Sequence, residues 1–476
     1  MQLTHIKEPL LDFNLQQHED IRFGIMHYSP FDVDLKTHPS RINIGVVGTA
    51  KTINGCVEWI NKCELEIPAK ESPLKNLFVR FPGYNTEACF KSSINIEDRN
   101  KRTISEKDIQ KITVHNDRNW VVENAVSLYL DGIKYLANES KVDVVICSVP
   151  EEILAFKTVG GPTNGSRGET SDNIRYDFHH MLKARAMAFR IPIQLVIPST
   201  YGEKLKLKDE LLRRTPQDEA TRAWNFFTAL YYKANGTPWR LPRISSELPT
   251  CYLGVSFYHT LDEESVNTSI AQVFNELGDS IIIRGSQAQI TEEDRQPHLN
   301  IADAEKLIDD ALLRYRKEHK TLPARIVLHK SSHFSDSEKE GFVSGIGKHG
   351  VSEYDLLSIR RSDTKLYRIG SYPPLRGMLW DLDELNHVMY TRGSVYFYET
   401  YPGMYIPHPI LFKTESSERP SYELAKEVLA LTKMNWNSTQ FDHALPITMC
   451  AAKRVGDVLK YLPQDIELCP RYSYYM

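Results

Sequence analysis

Apolar residues along this chain follow two recurrent patterns. Short, nearly unbroken runs at 42–47, 142–149 and 191–197 are bounded by Gly and Pro and predict buried strands. Between the first two, the stretch 120–137 spaces Val122, Ala125, Val126, Leu128, Tyr129 and Ile133 at helical intervals. Strands separated by helices predict a parallel, doubly wound sheet in the first half.

A Pro-rich stretch at 237–249 interrupts that pattern and places a domain boundary there, with units at 1–245 and 246–476. Strand-like runs follow at 251–259 and 279–284. Next comes a helix at 300–320, with Asn300 and Asp303 at its start and an apolar stripe of Leu307, Ile308, Ala311, Leu312 and Tyr315. Further strand-like runs occupy 324–329, 355–361, 365–369 and 394–399, and a last helix pattern covers 448–461. Strand, strand, helix, strand is compatible with an RNase H-like sheet, and with many other α/β folds. The polar stretches 160–173 and 286–297 read as mobile loops.

The length of 476 residues suits two or three domains. With 58 basic and 62 acidic residues the net charge is −4, which excludes a strongly basic, histone-like binder but not a local basic groove. Seven cysteines, an odd number with no CxxC pair, speak against a disulfide framework or a structural zinc site and fit a reducing cytoplasm. The opening residues have Glu8 and Pro9 where a signal peptide needs an apolar stretch, and no apolar run approaches the roughly 18 residues of a membrane span. A soluble, cytoplasmic protein without a membrane partner is expected.

Two segments carry candidate chemistry. His179 and Lys183 are four apart on a helical pattern and share a face, and a strand bearing Gln194 follows. Asn225 and Lys233 are eight apart, about two helical turns, and share another. Two cationic donors, an imidazole and two amides are the mixture that a terminal phosphate needs, charge for the dianion and fixed donors for its oxygens. Each spacing alone also describes an ordinary solvated helix face.

With their neighbours, these segments are similar to a short prokaryotic Argonaute, which has MID and PIWI domains and lacks the N-terminal and PAZ domains. The resemblance spans nearly the whole chain. It rests on residues 8–13, 20–24 and 28–32, on His179, Lys183 and Gln194, on 232–241, 253–257 and 323–329, and on Leu445 and Pro446 before the last helix. It implies an α/β chain with a Rossmann-like MID domain followed by an RNase H-like PIWI domain.

The resemblance further implies a pocket for a guide strand's 5′-phosphate. His179 stands where Tyr is common, to stack on or bond the first nucleotide. Lys183, Gln194 and Lys233 would hold the phosphate, with Asn225 in support. Ala229 stands where many long relatives place another Lys. A Mg2+ ion bridged by the terminal carboxylate at Met476 is implied as possible. Lys453 and Arg454 would face the guide backbone or remain a solvated charged pair. Both lysines are expected at a solvent-open pocket, where their removal should abolish loading and spare the fold.

Two-metal cleavage of a phosphodiester requires clustered carboxylates. At the matching positions stand Ser256, Ser331 and Ala451, and hydroxyls do not neutralise two divalent ions. An inactive PIWI domain is therefore expected. His259, His329, His333 and His443 lack close ligand spacing and read as structural or surface residues.

The resulting expectation is a sensor that carries a guide, a 5′-phosphorylated RNA, and recognises complementary single-stranded DNA. As one half of an antiphage or anti-plasmid system of the abortive-infection type, it would form a heterodimer with an APAZ-containing effector. That effector would be a sirtuin-like or TIR NAD-hydrolase, or a DNase. Two other readings stay open: a PIWI nuclease with an unorthodox ligand set, and a small-molecule α/β enzyme. Residues 44–48 hold two glycines but neither phosphate-loop pattern, so the latter has weak support.

Overall fold

The computed structural model describes residues 2–154, 176–204, 217–242, 248–274, 280–292, 294–367, 369, 373–403, 405–440, 442–463, 466 and 468–476. The stretch 160–173, expected as a loop, lies outside the described residues.

Two sheets organise the chain. In the first, Arg41–Gly48 pairs in parallel with Ser93–Asn95, Lys101–Thr103 and Val144–Ser148, and the last of these pairs in parallel with Ile193–Val196. The three expected apolar runs are neighbouring strands of it, Val144–Ser148 lying between the other two. Val144, Val145, Ile146 and Cys147 are fully buried, as continuous apolar strands covered by helices on both faces should be. The helix Arg118–Glu139 buries the predicted face at Val122, Ala125, Val126, Tyr129 and Ile133. This is the doubly wound arrangement that the alternation predicts.

The second sheet is mixed and has ten strands among the described residues. Thr250–His259, Val266–Phe274 and Ser280–Ile290 form antiparallel pairs, and Arg325–Lys330 lies parallel to both Thr250–His259 and Glu353–Arg361. That order is the RNase H-like pattern. The predicted helix is Ile301–His319, and Asn300 caps it by accepting the Asp303 N–H at 2.8 Å.

Three expectations for this half are corrected. Residues 286–290 continue the strand Ser280–Ile290, and Pro297–His298 pairs with Gln289 and Ile290. At this sheet edge the strand buries Ala288 and exposes Gln287 and Gln289, so its alternation carries almost no hydrophobic signal. Residues 365–367 form no strand. Residues 396–398 form a 3-10 turn, closed by Glu399 in the left-handed region at φ 55°.

The N-terminal segment binds the two halves together. Gln2–His5 pairs antiparallel with Met378–Asp381 at one edge of the second sheet. Glu8 meets Arg376 Nε at 2.9 Å and Lys433 Nζ at 3.1 Å. Asp20 caps the helix Ile21–Tyr28 and also accepts the Tyr398 hydroxyl. Asp32 accepts the Tyr231 hydroxyl at 2.5 Å and the Thr237 N–H at 2.8 Å. The early acidic residues are thus anchors that join distant segments, each with its charge or acceptors satisfied.

Candidate functional site

Asp177 starts the helix Phe178–Ala186 by accepting the His180 N–H at 2.9 Å. This turn points His179 and Lys183 to one side, as their spacing predicts. They meet Gln194, Arg454 and Met476 around a cavity of about 350 Å3, whose wall also includes His180, Thr200, Asn437, Tyr475 and apolar residues such as Ile153, Phe178 and Ile197. Residues from both halves of the chain thus converge on one concavity.

Lys183 is only 4% exposed, and its Nζ donates to the main-chain oxygen of Met476. An ion seated on that oxygen would share it with the lysine ammonium. Lys233 ends the helix Glu219–Lys233, is 2% exposed, and donates to Gln194 Oε1 at 2.6 Å. Burial, reinforced by the nearby Arg454 charge, lowers its pKa to about 7. Both lysines are buried, which corrects the expected solvent-open setting.

Lys233 does not line the same cavity. It lines a neighbouring one of about 260 Å3 with Arg190, Asn235 and Arg471, and reaches the first through Gln194. Asn225 and Ala229 line a third, of about 330 Å3, which shares Gln194, Leu195, Thr200 and Asn437 with the first. Asn225 Oδ1 accepts from Thr439 N at 2.9 Å and from Thr439 Oγ1 at 3.1 Å, which fastens its helix to the loop that carries Asn437.

Arg454 belongs to the cavity more directly than its expected place along a guide backbone. Its Nη1 is buried and finds no hydrogen-bond partner among the described residues, and an unpaired guanidinium nitrogen is costly to bury. Lys453, beside it on the helix Ile447–Leu459, is exposed and absent from the cavity wall. Sequence reading missed Asp177, His180 and Asn437. The adjacent histidines after a capping Asp were a visible signal; nothing local marks Asn437.

The second group, Ser256, Ser331 and Ala451, lies in the other half. Ser331 N donates to Val255 O at 3.1 Å, so Ser331, just past the end of Arg325–Lys330, sits beside Ser256 inside the parallel strand Thr250–His259. Ser256 is 6% exposed and Ala451 is fully buried. The helix Ile447–Leu459, which carries Ala451, crosses the strand at Gly254, where a Cβ would lie 2.2 Å from Thr448 O, so only glycine permits the approach.

His329 Nδ1 is 2.8 Å from Thr448 Oγ1, and burial lowers its pKa to about 3. Burial likewise takes His443 to about 3, and His333 Nδ1 is 3.3 Å from Glu415. His259 is exposed. Among the described residues, the group of three or more His, Cys, Asp or Glu side chains with ligand atoms close enough for one ion is Asp177, His179 and His180.

No protein-family model matches the chain, and no curated protein matches it. Solved structures do. The chain is similar to Clostridium butyricum Argonaute bound to a guide DNA and a 19-mer target DNA, with a TM-score of 0.65 and 16% identity over 98% of this chain and 54% of that one. It is similar to A. aeolicus Argonaute, with a TM-score of 0.58 and 16% identity over 98% and 54%. It is also similar to Marinitoga piezophila Argonaute in complex with a 5′ OH guide RNA, with a TM-score of 0.57 and 12% identity over 100% and 59%. The fold is that of the Argonaute MID and PIWI domains, and the chain spans a little over half the length of these neighbours.

Proposed function

We propose that the protein is a guide-directed nucleic-acid binder: it holds the 5′-phosphate of a short guide, an RNA, and presents the guide to complementary single-stranded DNA. The observation that carries this reading is the cavity in which Lys183, Gln194 and Arg454 converge, with Lys233 behind Gln194. A phosphate there would pair with the Arg454 guanidinium on the cavity wall and draw Lys183 from Met476. Charge-assisted bonds of this kind are the strong ones. His179, on the same wall, supplies a ring for the first base. Sequence would be read by base pairing and the backbone by the protein, so affinity falls with salt.

A Mg2+ ion at the phosphate would take the Met476 oxygen and phosphate oxygens, hard ligands of the kind it prefers. In this reading the PIWI domain does not cut, because Ser256, Ser331 and Ala451 stand at the catalytic positions. Any enzymatic activity would reside in an APAZ-containing effector partner, a sirtuin-like or TIR NAD-hydrolase or a DNase. The heterodimer acts in the cytoplasm in defence against phage or plasmids by abortive infection. None of the described helices is long and apolar enough to cross a membrane.

Co-expression with the genomic neighbour, followed by 5′ labelling of any bound nucleic acid with and without phosphatase, tests this. Short RNAs of uniform length that label only after phosphatase are expected. A stable complex that carries no nucleic acid would contradict the proposal.

A further inference from the structure

We propose that Asp177, His179 and His180 form a binding site for one divalent transition-metal ion of the zinc class, with the two histidines on the wall of the 350 Å3 cavity. The site is separate from a Mg2+ ion on Met476 and does not require a guide in the cavity. Each residue offers one donor atom, and the three atoms lie within 4.8 Å of one another. Tetrahedral bonds of about 2.0–2.1 Å would set donors roughly 3.3 Å apart, so small side-chain rotations close the set.

Local structure already brings the donors together. Asp177 is fixed as the helix cap, and it holds His180 through Nδ1 at 2.9 Å. The His179 and His180 rings stack with centroids 5.1 Å apart. Coordination would exchange the Asp177–His180 ion pair for two bonds to the metal, so neither group is left unsatisfied. Asp177 is 9% exposed and the histidines are half-buried, which limits competing water and still admits an ion.

Donor chemistry selects the metal. Two imidazoles and one carboxylate suit Zn2+, Fe2+, Co2+ or Ni2+, whereas Mg2+ prefers oxygen alone. Both histidines face the cavity, so the remaining coordination position opens where Lys183 and Arg454 already favour an anion. A bound ion would accept water or a phosphoryl oxygen there. A coordinated imidazole keeps its ring face, so His179 can hold the metal and still stack.

The test uses the full chain, stripped with chelator and titrated with ZnCl2 by calorimetry, then with CoCl2 by visible absorption. One equivalent should bind, with a Co2+ spectrum of tetrahedral or five-coordinate type. His179→Ala and His180→Ala should each weaken binding at least about tenfold. Asp177→Asn, which keeps a capping side chain, should do the same. Melting in chelator verifies that these variants fold, and His115→Ala, remote from the cavity, should bind as wild type. Excess MgCl2 should not displace Zn2+. Absence of stoichiometric binding, or binding undiminished in the folded His179→Ala/His180→Ala double variant, would overturn the assignment.

Discussion

Lys233 Nζ donates to Gln194 Oε1 at 2.6 Å, so a buried lysine at the end of one helix holds a side chain that lines the cavity behind which it sits. Its pKa is lowered from 10.5 to about 7 because burial penalises the ammonium. An anion in the cavity would favour the protonated form and raise that value. Guide affinity should therefore hold below pH 7 and fall as pH rises through 7 to 9, by up to about tenfold per unit. Fluorescence anisotropy with a 5′-phosphorylated guide across this range checks the slope, and Lys233→Met should flatten it.

The same lysine makes a stability prediction of opposite sign. Between pH 7 and 10.5 the unfolded chain binds a proton that the folded chain does not, so Lys233 costs the fold most at and below pH 7. Lys233→Met removes that cost and leaves Gln194 Oε1 short of one bond, a loss of about 1–2 kcal/mol. The melting temperature at pH 7 should equal or exceed that of the wild type, while guide affinity drops about ten- to a hundredfold. A variant both more stable and weaker in binding would separate the pocket's function from its packing.

His329 and His443 predict acid sensitivity. Burial lowers both from 6.5 to about 3, so the folded state keeps them neutral while the unfolded state protonates. Their contribution is intact above pH 6.5 and is lost as pH falls toward 3, at on the order of 1.4 kcal/mol per unit for each. Chemical denaturation at pH 7, 6 and 5 measures this, and His329→Asn should reduce the loss.

Gly254→Ala should be severe. The new Cβ would lie 2.2 Å from Thr448 O, which is backbone and cannot swing aside. The helix Ile447–Leu459 must shift outward, at a cost of about 3 kcal/mol, and it carries Arg454 with it. Loss of both melting temperature and guide binding is expected, and a neutral variant would show that the helix tolerates displacement.

Target cleavage tests the reading of Ser256 and Ser331. A labelled DNA paired to a loaded guide should stay intact with Mg2+ or Mn2+ under single-turnover conditions. A cut at a fixed distance from the guide 5′ end would establish an unorthodox ligand set instead.

The residues that were legible in the sequence are those whose signal is local. Ile42 to Val47 and Val144 to Cys147 announce buried strands by continuous hydrophobicity, and Asn300 announces a helix start by its capping chemistry. Gln2–His5 and Met378–Asp381 escaped because each is short and finds its partner across the chain. The continuation of the 279–284 strand through Gln287 and Gln289 escaped because there only a small side chain, Ala288, turns inward.

At the site, His179, Lys183 and Gln194 were legible from spacing and resemblance, and they do share a cavity. The burial of both lysines was not, because it depends on the Met476 oxygen and Gln194, which only the fold brings to them. Arg454 reads as a surface charge in its helix. Only the docking of the two halves against each other turns it inward.

The most direct measurement compares the affinity of one guide sequence with a 5′-phosphate and with a 5′-hydroxyl, for the wild type and for Lys183→Met/Lys233→Met. The account predicts that the wild type prefers the phosphate by at least about tenfold, since charge-assisted contacts are at stake, and that the preference vanishes in a variant that still folds. Equal affinity for the two guides, or a preference that survives the loss of both lysines, would contradict it.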